Sequence, residues 1–110
     1  IQNYIAAPTI TSTTFSFSGA VPSTQAQPYI TFESTDATSY TWILYDKALY
    51  EDDPTQIASG SGYTPTNPQT ITYFGATVVD SYYSFSITVT NNGGSANNTT
   101  GFFQNYAEPA

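Results

Sequence analysis

The sequence predicts an all-β sandwich of about seven short strands behind an extended N-terminal segment. Three observations predict it. Apolar and polar side chains alternate with period two in several stretches, the mark of half-buried strands. Clusters of Gly, Pro, Asn, Asp and Ser punctuate the chain at 19–28, 34–39, 46–54, 60–68, 75–81 and 91–96, a spacing that suits a sandwich. Helix formers are scarce. The one helix-tolerant stretch, residues 46–51, is limited by Pro54.

Taken in order, the first segment is "IQNYIAAPTI", with few charges and an apolar set of Ile1, Tyr4, Ile5 and Ile10. Ile10 lies on even parity, whereas Phe15 and Phe17 of "TFSFSG" lie on odd parity. One regular strand would send one set to solvent, so a bulge or break near residues 12–14 is expected. The parity change divides the chain into an extended segment at 1–12, a sandwich at 13–106 and a short tail at 107–110. "PYITFE" places Ile30 and Phe32 together. "SYTWILY" puts Tyr40, Trp42 and Leu44 on one face, with Ile43 and Tyr45 on the other, as a central strand requires. "QTITYFG" pairs Ile71 with Tyr73. "SYYSFSITVTNNGG" is the clearest strand, with Tyr83, Phe85, Ile87 and Val89 on one face and Ser84, Ser86, Thr88 and Thr90 on the other. Its Asn-Asn-Gly-Gly end tolerates positive φ and predicts a tight turn. "NTTGFFQNY" reads as a last strand. The predicted core is Trp42, Phe85, Ile87, Val89, Phe32 and Ile30.

These residues resemble a known group. A Trp strand ("YTW"), then "NPQTITYFG", then "YYSFSITVTNNGGS" is similar to immunoglobulin-like sandwiches of the PKD kind found in prokaryotic extracellular surface and fibre proteins. The resemblance covers roughly residues 28–96 and implies an immunoglobulin-like β-sandwich. It leaves the role open, because such sandwiches host many functions.

Composition narrows the function classes. The net charge is −7, with Lys47 as the one basic residue. Such a surface repels phosphate backbones and anionic membranes, so nucleic acid is not an expected partner, and without a stretch of 18 apolar residues no membrane insertion is expected. Ser and Thr make up 31 of the 110 residues. A hydroxyl-rich chain with one trypsin site suits an extracellular or cell-surface setting. There is no His, Cys or Arg, so Ser-His-Asp and Cys-His catalysis are excluded. No carboxylate pair sits where apolar burial would raise a pKa for glycoside chemistry, and no enzyme is expected. No cofactor is expected either, apart from a weak calcium candidate in the hard oxygen donors Asp46, Glu51, Asp52 and Asp53. Lys47 could crosslink to an Asn if buried, but its polar surroundings read as a solvated loop.

Two overlapping sequons, Asn97 with Thr99 and Asn98 with Thr100, make Asn97 and Asn98 the candidate carriers of covalent glycans. The ten tyrosines suit two roles, strand packing and a sugar-stacking face.

One feature is unusual. Gln2-Asn3-Tyr4 recurs as Gln104-Asn105-Tyr106. The separation is that of one immunoglobulin-like domain, as in tandem repetition. It also suits a segment that leaves its domain to add a strand to a neighbour, and a composition this biased repeats such a tripeptide by chance as a third reading. Hydroxyl-rich edges without lysines leave a sandwich poorly defended against such pairing. The expected function is a structural subunit or repeat of an extracellular filament or stalk. It would assemble head to tail from identical subunits by β-strand donation through Ile1, Tyr4, Ile5 and Ile10. The alternative is a carbohydrate-binding sandwich module of a secreted enzyme or adhesin.

Overall fold

The computed structural model describes residues 5–19, 21, 23–48 and 50–106. Eight antiparallel strands form two sheets, and the described residues contain no helix. The strands are β1 (Thr9–Ser18), β2 (Gln27–Thr35), β3 (Ser39–Lys47), β4 (Thr55–Tyr63), β5 (Gln69–Thr72), β6 (Tyr82–Asn91), β7 (Gly94–Thr99) and β8 (Phe103–Gln104). One sheet runs β1-β2-β5. The other runs β4-β3-β6-β7, with β8 also paired to β6. The arrangement is that of a β-sandwich.

Period-two alternation builds the core. Phe15, Ile30, Phe32 and Ile71 point inward from the first sheet, and Leu44, Tyr83, Phe85, Ile87 and Val89 from the second. Five of the six expected core residues are fully buried. Trp42 is the correction: it is only partly buried and flanks the cluster, while Leu44, two residues on, sits in its centre. The reason lies across the ladder. Trp42 pairs with Gly60 of β4, where a Cβ would stand 2.6 Å from the indole Nε1. The bare glycine leaves room for the ring beside β4, at the margin of the core. It still reaches Phe85, with ring centroids 6.1 Å apart.

The bulge expected near residues 12–14 lies between Ile10 and Ser12, where the β1–β2 register shifts. It keeps β1 in a single sheet. Thr9 pairs with Thr35 and Ile10 with Ser34, so β1 begins inside the stretch the parity change assigned to a separate segment. Pro8 is buried just before β1, where no ladder donor is required.

The last strand is divided. β7 follows directly on the Asn92-Gly93 turn, the ladder stops after Thr99, and pairing to β6 resumes at β8. Thr100 bridges the gap. Its amide donates to the Phe85 carbonyl at 2.8 Å, and its hydroxyl accepts from the Phe85 amide at 3.0 Å. β4 had no strand signature of its own, because Gly60 and Gly62 read as turn residues.

Strand directions sort the ends of the chain. β1 starts at the pole where β2, β4 and β6 end. β8 stands beside the start of β6, at the other pole.

Candidate functional site

Each pole is tied together by one buried asparagine. At the entry pole this is Asn91, the last residue of β6. Its Nδ2 donates to the Ala6 carbonyl at 2.8 Å and to the Asp36 carbonyl at 2.9 Å. Its Oδ1 accepts from the Gly93 amide at 2.6 Å. One side chain therefore joins the N-terminal segment, the β2–β3 turn and the β6–β7 turn. Asp36 holds a positive φ of 62°, which short polar side chains tolerate. Gly93 is required for a different reason: a Cβ there would collide with the Ile5 carbonyl. A cleft of about 430 Å³ opens between Ile5, Asp36 and Asn92.

At the exit pole the knot is Asn105, which is fully buried. Its Nδ2 donates to the Ser23 carbonyl at 2.8 Å and the Val78 carbonyl at 3.2 Å, and its Oδ1 accepts from the Ser23 amide at 3.2 Å. Its backbone pairs with Asp80 and Ser81 at 3.1 and 2.9 Å. Gln104 adds a bond from Nε2 to the Asp80 carbonyl at 3.0 Å. The β1–β2 loop, the β5–β6 loop and the C-terminal strand thus meet on one amide. Thr77, also buried, donates to the Ala26 carbonyl at 2.9 Å. The Tyr83 phenol at the start of β6 accepts from the Val78 amide at 2.8 Å. Burial pushes the Tyr83 pKa up, the Val78 bond opposes the shift, and nearby Asp46 adds to it.

Apolar side chains surround this second knot. Val78, Val79, Phe103 and Tyr106 are exposed beside it, with Phe103 stacked on Phe15 at 4.7 Å.

The sequence-derived candidates fall as follows. Ile1 and Tyr4 lie outside the described residues. Ile5 is about half exposed at the entry pole, and Ile10 packs against the core of its own chain from β1. Asn97 points outward from β7, its Nδ2 bonded to Ser86 Oγ and Thr88 Oγ1 at 3.0 Å each. Asn98 turns inward and donates to Thr13 Oγ1 at 3.0 Å, linking the two sheets. Only Asn97 of the two presents its amide on the open face.

Asp46, the residue before the last of β3, is partly buried, and desolvation followed by the Glu51 charge raises its pKa. Glu51, Asp52 and Asp53 are exposed, and among the described residues no three carboxylates gather as a metal-holding group. Lys47 is not a loop residue. It closes β3, with Nζ 5.1 Å from the Tyr82 ring centroid and 5.9 Å from that of Phe102. Among the described residues the exposed tyrosines are Tyr50, before β4, Tyr63, its last residue, and Tyr106, after β8. A separate cleft of about 490 Å³ pairs exposed Phe74 with the polar side chains of Thr24, Gln25 and Gln27.

Neither knot was legible from residue types, because an asparagine beside a turn reads as turn chemistry. The repeated Gln-Asn-Tyr was the one signal, and it marked Asn105. No helix among the described residues is long and apolar enough to cross a membrane. No family model, curated protein or solved structure matches the chain.

Proposed function

We propose that this chain is a structural subunit or repeat of an extracellular filament or stalk, an immunoglobulin-like sandwich joined head to tail by β-strand donation. The observation that carries the reading is the placement of the two knots. The N-terminal segment is tied at one pole by Asn91 and the C-terminal strand at the other by Asn105. Copies linked through these ends stack lengthwise, and a head-to-tail contact that does not close produces a fibre.

Supporting the immunoglobulin-like part, the strand orders β1-β2-β5 and β4-β3-β6-β7 suit that topology. So does the tyrosine at the start of β6 that bonds back to the Val78 backbone, the corner common in such sandwiches. The hydroxyl-rich, lysine-poor surface suits an extracellular location, with Asn97 the better placed glycan carrier. The absence of His, Cys and Arg from the sequence favours a structural over an enzymatic role.

Light scattering and electron microscopy of the full chain across a concentration series test the proposal. Polar filaments with an axial repeat near one domain length are the expected result. A monomer at every concentration would overturn it. One observation favours a second reading, a carbohydrate-binding module: the Phe74 cleft offers an aromatic face beside two amides. Retention on insoluble polysaccharide, lost in F74A, would select it.

A further inference from the structure

We infer that the exit pole is the receiving site for the N-terminal segment of a second copy, with Gln2-Asn3-Tyr4 entering the place that Gln104-Asn105-Tyr106 fills in the copy's own chain. The inference rests on the head-to-tail reading and names the contact that would produce it.

The slot is built for one side-chain chemistry. A primary amide there donates to the Ser23 and Val78 carbonyls and accepts from the Ser23 amide. An aspartate lacks the donors, and an aliphatic residue lacks both functions. The residue before Asn105 must also pair in extended form with β6: Gln104 opposes Tyr82 and Phe103 opposes Tyr83. The chain carries a second tripeptide that meets these demands. In the same register Gln2 would oppose Tyr82, and apolar Ile1 would take the place of Phe103. The contact is then the exchange of one short strand for another beside β6, where β8 is only two residues long.

Geometry requires the exchange to occur between copies. Six residue steps separate Asn3 from Thr9, a reach of at most about 20 Å. Thr9 stands at the entry pole, and β1 alone extends about 30 Å toward the slot. Asn3 therefore falls short of its own Ser23. A neighbour stacked lengthwise brings its entry pole to this exit pole.

The flanks favour the incoming segment. Within its own chain the tripeptide is followed by Ala107 and Glu108. In the incoming segment Ile5 and Ala6 stand at those places. The incoming segment would thus bring an uncharged Ile-Ala pair after the tripeptide to a pole where Val78, Val79 and Phe103 are exposed. Opposing this, the chain's own copy is tethered, with an effective concentration on the order of millimolar. Assembly should accordingly be steep in protein concentration.

The chain lacks cysteine, so a designed disulfide reports the contact directly. In the full chain, Q2C/Y82C, which keeps the Asn3 amide and joins the pair that Gln104 and Tyr82 form, should give an oxidant-dependent covalent ladder extending beyond dimer, while Q2C and Y82C alone stop at dimer. N3A should reduce assembly at least tenfold at fixed concentration and leave the melting temperature of the monomer unchanged. If the unaltered chain assembles, yet N3A assembles equally well and Q2C/Y82C yields no ladder, the slot inference is wrong and head-to-tail assembly stands through another surface. If the unaltered chain never assembles, both fall.

Discussion

Asn105 shows how much of a pole can depend on one amide. Replacing it with Ala would leave the Ser23 amide without its acceptor and take one donor each from the Ser23 and Val78 carbonyls, which keep the Ala26 and Ser81 amides. Urea denaturation of N105A should show a loss of about 2–3 kcal/mol. Asp46 makes a pH prediction. Its folded pKa is raised above the ordinary 3.8 by desolvation, reinforced by Glu51. Below 3.8 both folded and unfolded states hold the proton and Asp46 has no effect on the balance. As pH climbs from there through the raised value, the unfolded state ionises first, so the folded state loses ground, and the loss persists at neutral pH. The stability gained by D46N should therefore be larger at pH 7 than at pH 3. An equal effect at both pH values would contradict the stated burial.

Among the strands, legibility followed alternation. β6 was plain in the sequence because Tyr83, Phe85, Ile87 and Val89 never leave odd parity, and its partner β3 was nearly as clear. β4 was hidden because an edge strand facing solvent needs few apolar side chains, and Gly60 and Gly62 mimic a turn. Those glycines answer to β3: a Cβ at Gly62 would stand 2.5 Å from the Tyr40 hydroxyl. A bulky aromatic opposite a glycine is a cross-strand relation, and no local window contains it. The break between β7 and β8 was invisible for a similar reason, since Thr100 replaces a ladder bond with its hydroxyl. The Trp42–Gly60 pair yields a test. W42A should cost about 2–4 kcal/mol, toward the lower part of the range for large aromatic truncations because the ring is only partly buried. G60V should be destabilising in the wild type and better tolerated in the W42A background, since the valine then occupies space the indole has left. Additive effects in the double variant would exclude that packing.

At the scale of the whole molecule, the two faces of the sandwich differ in what they offer. The outer face of the five-stranded sheet carries Ser86, Thr88, Asn97 and Thr99 as a bonded group of hydroxyls and amide. If the native material is N-glycosylated, its mass should exceed 11.9 kDa and fall with N97Q, while N98Q should leave the glycan in place and disturb the Asn98–Thr13 bond between sheets. Glycan found on Asn98 alone would contradict the inward orientation of that side chain. The poles were only half legible. The sequence advertised a tripeptide repeated at its two ends. It could not reveal that Asn91 and Asn105 occupy equivalent roles at opposite ends, because each gathers loops from distant parts of the chain.

That opposition of the two ends has a mechanical consequence. A pull applied between them runs lengthwise along β1 at one end and along β8 at the other. β1 then slides against β2, and its ladder bonds share the load together rather than opening one after another. β8, with two residues in register, offers far less resistance and should slip first. The Asn105 amide lies directly behind it and would be the next group to bear the force. Stretching such a domain would thus begin with a small, reversible yield at the C-terminal strand, well before the rupture of β1 that sets its unfolding rate under tension. If such domains are chained end to end, every junction would carry a compliant link between stiff sandwiches.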